Sequence, residues 1–215
     1  MNLFLGVIAS ASAAFVATNI DDIIILMLFF AQVNQNFRKR HIIIGQYLGF
    51  TALIIASLPG FFGGLIIEPS LVGLLGFIPI AVGIYQLIKG DHDDDEIQAV
   101  NTVDFDQTNT VFANLLVPQT YNVAAVALAN GGDSISTYIP LFASSNIWQL
   151  LMTLVVFYIL IAVWCYLGYF FTRHSGVTHI FSKYGSIVAP IVLIGLGIYI
   201  LADSGSFELF KSIFS

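Results

Sequence analysis

The chain contains six long apolar stretches, and these constrain its fold more than any other feature of the sequence. They run from Leu3 to Phe30, Ile42 to Ile67, Leu71 to Ile88, Val111 to Phe142, Leu150 to Thr172 and Ile187 to Ala202. A helix of about 20 apolar residues spans a bilayer, whereas barrel strands have about 10 residues of alternating polarity. The sequence therefore predicts an all-α integral membrane protein, with about six transmembrane helices in the lipid bilayer.

The basic residues give these helices an orientation. Charged residues make up only 9% of the chain, against about a quarter of a typical soluble domain. Most of the basic ones fall in or beside the connections after the first, third and fifth stretches: Arg38, Lys39, Arg40, Lys89, Arg173 and Lys183. Connections rich in Lys and Arg face the cytoplasm. Both termini are therefore predicted to lie outside the cytoplasm.

Two short motifs occur once in each half of the chain. Asn-x-x-Asp spans residues 19–22 and 130–133, and Gly-Ile-Tyr-x-Leu spans residues 83–87 and 197–201. Because each half holds an odd number of spans, the second copy enters the membrane from the opposite side, as in transporters built from inverted repeats. The predicted segments are residues 1–89 as the first three-helix repeat, 90–110 as an acidic cytoplasmic linker, and 111–215 as the second three-helix repeat. The linker is interpreted either as a solvated connection or as a surface that gathers cations.

Three carboxylates lie inside the apolar stretches, at Asp21, Asp22 and Asp133. A charge at the middle of a spanning helix costs roughly 2.5 to 3.5 kcal/mol on insertion scales. None of the seven basic residues lies inside a stretch to balance these charges. A proton or a bound cation is therefore the natural partner.

Polar side chains accompany these carboxylates at helical spacing. One set is Thr18, Asn19 and Asp22, and the other is Asn130, Asp133 and Thr137. Carboxylate, carboxamide and hydroxyl oxygens suit a divalent cation. Asp21 points about 100° away from Asp22 on a regular helix, so it joins the same site only if the helix is unwound there or the cavity is wide. It can otherwise relay protons. All seven residues together form the predicted metal site.

Gly131 and Gly132 lie between Asn130 and Asp133. Each glycine disfavours a helix by about 1 kcal/mol relative to alanine. Such a pair can free backbone carbonyls where the chain lines a cavity, or it can allow close packing of helices. The sequence leaves both interpretations open.

Other residues have simpler interpretations. Trp148 and Trp164 are predicted to anchor helix ends at the membrane interface. Cys165 is the only cysteine, which excludes an intramolecular disulfide, and we interpret it as apolar filling near one end of its span. A face of small residues that permits a homodimer is formed by Gly60, Gly63 and Gly64.

The two Asn-x-x-Asp motifs and their neighbours resemble those of a known family. The residues concerned are Thr18-Asn19-Ile20-Asp21-Asp22, followed by an aliphatic run, and Ala129-Asn130-Gly131-Gly132-Asp133 with Tyr138 and Pro140. They resemble the cadmium-resistance transporter family within the lysine exporter superfamily, over essentially the whole chain. The resemblance implies export of divalent metal, cadmium above all, from the bacterial cytoplasm. It also implies that Asn19, Asp21 and Asp22 are ligands or proton carriers, with Asn130 and Asp133 as their counterparts.

The sequence thus predicts a secondary transporter of the bacterial plasma (inner) membrane. It would export a divalent cation, bound as substrate, in exchange for protons. The chain has no phosphate-binding loop of the Gly-x4-Gly-Lys-Ser/Thr type, which argues against ATP-driven pumping by this chain alone. We expect no resident cofactor and no nucleic-acid partner. Oxygen ligands alone do not select among cadmium, zinc, manganese and calcium.

Two other functions fit parts of the sequence. Oxygen ligands also suit an ammonium group, so export of a small organic cation such as an amino acid is the main alternative. The run Gly131-Gly132-Asp133 resembles the Gly-x-Gly-Asp of intramembrane aspartyl proteases, but Asn130 stands in place of the first glycine. The accompanying Tyr-Asp and Pro-Ala-Leu motifs are also missing from the sequence. We therefore expect no enzymatic activity.

Overall fold

The structure is a computed structural model that describes residues 2–89, 118–172 and 177–204. These residues are almost entirely helical, which confirms the all-α prediction. The helices are α1 (Asn2–Asn19), α2 (Asp22–Ala31), α3 (Lys39–Gly64), α4 (Pro69–Gly73), α5 (Phe77–Lys89), α6 (Pro118–Asn130), α7 (Gly132–Ala143), α8 (Ile147–Phe171) and α9 (Val177–Asp203), with a 3-10 turn (Leu74–Gly76) before α5. The predicted linker, residues 90–110, lies outside the described residues.

Several helices are long and apolar enough to cross a membrane. Within the described ranges these are Lys39–Gly64, Leu71–Ile88 and Ile147–Phe171. The pair α1 and α2, bent by 59° at their junction, adds a fourth if it counts as one broken span, whereas the apolar part of α9, Ile187–Asp203, is shorter. Exposed side chains such as Ile55 and Val155 give the long helices an apolar outer surface. The described residues thus hold three to four candidate membrane spans, as in a membrane protein, and the predicted count of six is not confirmed.

The first and fourth apolar stretches are each interrupted at an Asn-x-x-Asp motif. Helix α1 ends at Asn19 and α2 begins at Asp22, while α6 ends at Asn130 and α7 begins at Gly132. Asn and Asp side chains compete for backbone hydrogen bonds and so favour helix ends over helix interiors. In the first half the interruption is a two-residue turn with a 59° bend, in which Asp21 itself keeps helical backbone angles.

Each long helix packs against the broken helix of the other half. Helix α3 runs along α6 and α7, and α8 runs along α1 and α2. Helices α5 and α9, each the last helix described in its half, pack against one another. Helix α1 also packs against α9.

Glycines on α3 allow its close approach to α6 and α7. A Cβ atom at Gly49 would lie 2.7 Å from the carbonyl oxygen of Ala124, and one at Gly60 would lie 2.5 Å from that of Ile139. Gly64 is equally close to the backbone of α7, whereas a Cβ at Gly63 would meet nothing within 4 Å. Most of the small-residue face that was predicted to permit a homodimer is thus covered by this chain's own helix.

Aromatic rings from four helices form the centre of the core. Phe15 of α1, Phe50 of α3, Tyr138 of α7 and Phe157 of α8 are each no more than 1% exposed. The ring centroids of Tyr138 and Phe157 lie 4.7 Å apart, and those of Phe15 and Phe50 lie 5.4 Å apart. Aromatic pairs of this kind contribute about 0.5 to 1.5 kcal/mol each beyond the area they bury. The cluster begins one turn before Asn19 and so holds the first break against α7 and α8.

Candidate functional site

The first break is anchored through its backbone. The Trp164 Nε1–H donates a 2.7 Å hydrogen bond to the carbonyl oxygen of Asn19, the last residue of α1. This bond satisfies one of the carbonyls that a helix end leaves without an intrahelical partner. The prediction that Trp164 is an interfacial anchor is wrong, because its ring is 9% exposed and faces the break. Trp148, at the start of α8, is 74% exposed.

The side chain of Asn19 is held in one orientation. Its Nδ2 lies 2.9 Å from the carbonyl oxygen of Phe15, 2.9 Å from Thr18 Oγ1 and 2.9 Å from Tyr138 Oη. A backbone carbonyl can only accept hydrogen bonds, so the amide nitrogen must be the atom that faces Phe15. None of these three contacts involves the carboxamide oxygen of Asn19.

The Thr18 hydroxyl is engaged by several protein groups. It lies 3.0 Å from the carbonyl oxygen of Ala14, to which it can only donate. It accepts from Asn19 Nδ2 and lies 2.9 Å from Tyr138 Oη. The structure therefore places Thr18 beside the break as a support for Asn19 and Tyr138.

The remaining acidic residues of the first motif lie where α2 begins. Asp21 is exposed and Asp22 is half-buried in the first turn of α2. The N-terminus of a helix carries a partial positive charge that stabilises a nearby carboxylate. The Asp22 side chain therefore lies at the positive end of the α2 dipole.

The second break is fixed by close packing of side chains and backbone. Gly131 separates α6 from α7, and a Cβ atom there would lie only 2.5 Å from Leu53 Cδ2 on α3. A Cβ at Gly132 would meet nothing within 4 Å. The structure thus assigns different roles to the glycine pair, because Gly131 allows both the interruption and close packing, whereas Gly132 borders open space.

Asp133 lies half-buried in the first turn of α7, just as Asp22 does in α2. Its backbone carbonyl accepts hydrogen bonds from Ser136 Oγ at 2.7 Å and from Thr137 Oγ1 at 3.0 Å. Thr137 is fully buried, and Asn130 is half-buried at the end of α6. Both motifs therefore place one carboxamide at the end of a half-helix and one carboxylate at the start of the next.

Tyr138 connects the two halves at this level. It lies on α7, five residues after Asp133, and its hydroxyl contacts Thr18 and Asn19 of the first motif. Asp22 lies within electrostatic range of the same hydroxyl. The Ser134 hydroxyl is buried next to it, but completes no hydrogen bond of ordinary geometry with any described group. The first motif and the helix that carries the second are thus in direct contact.

Sulfur and histidine do not contribute to a cluster here. In the described ranges, no group of three or more His, Cys, Asp and Glu side chains lies close enough to share a metal ion. Cys165 is buried in the hydrophobic core and lies near Tyr47. A cation held between the breaks would therefore depend on carboxamide, hydroxyl or backbone oxygens as well as carboxylates.

Sequence reasoning did not assign a role in the site to Tyr138 or Trp164. Tyr138 lies close to the second motif in the sequence, and its hydroxyl inside an apolar stretch could have indicated a role in the site. Trp164 gives no such signal, because its bond to Asn19 joins residues 145 positions apart. Only the packing of α8 on α1 brings them together.

Comparison with known proteins identifies the family of the chain. The family model described as "Cadmium resistance transporter" matches residues 15–213, a range that includes both Asn-x-x-Asp motifs. No curated protein and no solved structure matches the chain. The match covers nearly the whole sequence and confirms the resemblance of the motifs. The chain belongs to the cadmium resistance transporter family.

Proposed function

We propose that this protein exports a divalent metal cation, cadmium foremost, and binds it as substrate between the two helix breaks. The observation that carries the proposal is that both Asn-x-x-Asp motifs coincide with interruptions of apolar helices. Transporters place substrates near the membrane midplane at discontinuous helices of this kind. The family match supports cadmium as the cargo.

The proposed ligands come from both breaks. Asp22 and Asp133 supply two negative charges, which balance the charge of a divalent ion that would otherwise be costly inside a membrane. The carboxamide oxygens of Asn19 and Asn130 complete the oxygen set, and Asp21 joins them through the unwound segment. Thr18 and Thr137 support these groups through their hydrogen bonds to neighbouring residues.

The electrostatics of the half-helices favour the same location. The starts of α2 and α7 stabilise the carboxylates, while the ends of α1 and α6 present backbone carbonyls with partial negative charge. Unwound carbonyls of this kind coordinate cations in other transporters. Asp21 is exposed, so it can exchange a proton with the surroundings when cargo binds or leaves.

The crossed packing of the halves supports an inverted repeat. Helices α3 and α8 make equivalent contacts with the broken helix of the opposite half, and α5 meets α9. Two such repeats can rock against each other and expose the site to either face of the membrane in turn. We place the basic connections in the cytoplasm of a bacterial cell, with the protein in its inner membrane and both termini outside the cytoplasm.

Calorimetry tests the binding step. The full chain in detergent is titrated with cadmium, zinc, manganese and calcium, and the titrations are repeated on Asp22→Asn/Asp133→Asn. Asp203→Asn is the matched control, because Asp203 is exposed at the end of α9. We expect saturable cadmium binding in the wild type and in Asp203→Asn only. Equal binding by the double variant would contradict the site, and no binding of any metal would favour an organic cation.

Inside-out vesicles test the transport step. We expect cadmium uptake driven by a proton gradient, with protons released as cadmium enters. Cadmium uptake that does not depend on the proton gradient would contradict the proposed proton exchange but not the proposed metal transport. Inhibition of cadmium uptake by lysine at comparable concentration would instead indicate that the site accepts an ammonium group.

A further inference from the structure

Tyr138 makes a buried polar contact between helices α7 and α1. Its side chain is fully buried, and its ring packs against those of Phe50, Phe142 and Phe157. This packing on several neighbouring rings holds the hydroxyl beside α1. The oxygen lies 2.9 Å from Asn19 Nδ2 and 2.9 Å from Thr18 Oγ1.

Counting protons assigns the direction of each bond. The carbonyls of Ala14 and Phe15 can only accept, so Thr18 donates to Ala14 and Asn19 donates to Phe15. With its proton used, the Thr18 oxygen must accept from Tyr138. The second amide proton of Asn19 is shared between the Thr18 and Tyr138 oxygens, each of which lies 2.9 Å from Nδ2. The hydroxyl is thus committed to protein groups, and Tyr138 can act on a cation only through Asn19.

The orientation of Asn19 decides whether that side chain attracts or repels a cation. A carboxamide presents a partial negative charge at its oxygen and a partial positive charge at its amide nitrogen. The contacts of Nδ2 with Phe15, Thr18 and Tyr138 keep the nitrogen on the protein side. Without the Tyr138 hydroxyl, one amide proton keeps only Thr18 Oγ1 as its acceptor among these contacts, and the side chain is held less firmly in this orientation.

We infer that Tyr138 is a positioning residue for the proposed cation site, which fixes the Asn19 carboxamide with its oxygen available to the cargo. The inference rests on the proposed function. It also makes a residue of the second half responsible for the geometry of a ligand in the first half. A relative movement of the halves would therefore alter cation affinity through this hydroxyl.

A double-mutant cycle on the full chain in detergent tests the inference. Cadmium dissociation constants are measured by calorimetry for the wild type, Tyr138→Phe, Asn19→Ala and the double variant. We expect Tyr138→Phe alone to weaken binding roughly tenfold, as is typical for loss of a partner that orients a ligand. In the Asn19→Ala background the same change should have no further effect. Asn19→Ala keeps both proposed carboxylate ligands, so we expect it to bind cadmium more weakly but still measurably. Its titrations therefore use higher cadmium concentrations.

Tyr158→Phe is the matched control. Its hydroxyl lies 2.9 Å from Thr51 Oγ1, in a Tyr-Thr pair that joins α8 to α3. Loss of this hydroxyl removes a comparable hydrogen bond without touching either motif. We expect the cadmium affinity of Tyr158→Phe to equal that of the wild type.

Three results would overturn the inference. Unchanged affinity in Tyr138→Phe would show that the hydroxyl does not orient a ligand, and equal losses with and without Asn19 would show that it acts by another route. An equal loss in Tyr158→Phe would indicate general destabilisation. If Tyr138→Phe does not fold, Thr18→Val replaces it in the same cycle, because Thr18 also acts through Asn19. Absence of saturable cadmium binding in the wild type would instead contradict the proposed function.

Discussion

The two helix breaks carry the same motif but are held in place by different forces. The first is fixed by directional bonds, from Trp164 to the Asn19 carbonyl and from the Asn19 amide to Tyr138. The second is a single glycine, Gly131, pressed against the side chain of Leu53. Hydrogen bonds weaken steeply when distance or angle changes, whereas a packed apolar contact only has to remain filled. The first break is therefore the more sensitive of the two to movement between the halves.

We expect the largest effect on transport from the carboxylate that each break carries. Asp22→Asn and Asp133→Asn each remove one of the two charges proposed to balance a divalent cation. We expect each to lower cadmium uptake by inside-out vesicles at least about a hundredfold, beyond the 10- to 100-fold typical of groups that only orient a ligand. If one variant transports at the wild-type rate, the two breaks are not equivalent in function.

A methyl group at Gly131 tests whether the second break is held by shape. Gly131→Ala should clash with Leu53, and overpacking of this kind costs about 1 to 3 kcal/mol. We expect the melting temperature in detergent to fall by several degrees, while Gly132→Ala, which borders open space, should melt like the wild type. In a Leu53→Ala background the cost of Gly131→Ala should disappear. The same cost in both backgrounds would rule out the clash as its cause.

Trp164→Phe tests whether the first break is held by a directional bond. The change keeps an aromatic ring but leaves the Asn19 carbonyl without its donor. Hydrogen bonds in membranes average about 0.6 kcal/mol and reach about 1.7 kcal/mol, so we expect a loss near 1 kcal/mol, measured by chemical unfolding. Trp148→Phe is the control, because Trp148 is exposed. Equal losses in the two variants would remove the distinction between the breaks.

Ser134→Ala should have the smallest effect. The hydroxyl is buried on α7 and completes no ordinary hydrogen bond with a described group, so its removal leaves no donor or acceptor unsatisfied. We expect the unfolding free energy to change by less than about 0.5 kcal/mol. A loss as large as that of Trp164→Phe would show that the second break also depends on a hydroxyl bond, and the contrast between the breaks would be weaker.

The sequence predicted the helical class and the places where chemistry is concentrated. Long apolar runs have few alternatives to helices in a membrane, and the repeated Asn-x-x-Asp motif identified the two interruptions before their geometry was known. Sharing of one site by Asp21 and Asp22 was predicted to need an unwound helix or a wide cavity, and the structure interrupts the helix between Asn19 and Asp22.

What the sequence did not predict depends on contacts between distant segments. Periodicity places a residue on a face of its own helix but does not say which helix covers that face. The burial of Trp164 and the link from Tyr138 to Asn19 arise only when α8 and α7 pack against α1. The covering of Gly60 by α7 is of the same kind. The number of spans also depends on how broken helices are counted, which composition does not decide.

The crossed packing of long and broken helices also bears on how the protein is made. Trp164 emerges from the ribosome 145 residues after Asn19, which at about 5 to 20 residues per second is a delay of roughly 7 to 30 s. Tyr138 follows Asn19 by only 119 residues, so the first break lacks both partners for most of that interval and lacks only the Trp164 donor at its end. Its polar groups must meanwhile be kept away from lipid by the insertion machinery or by water. The first half is thus an incomplete folding unit during synthesis, and its polar break becomes stable only when the second half arrives.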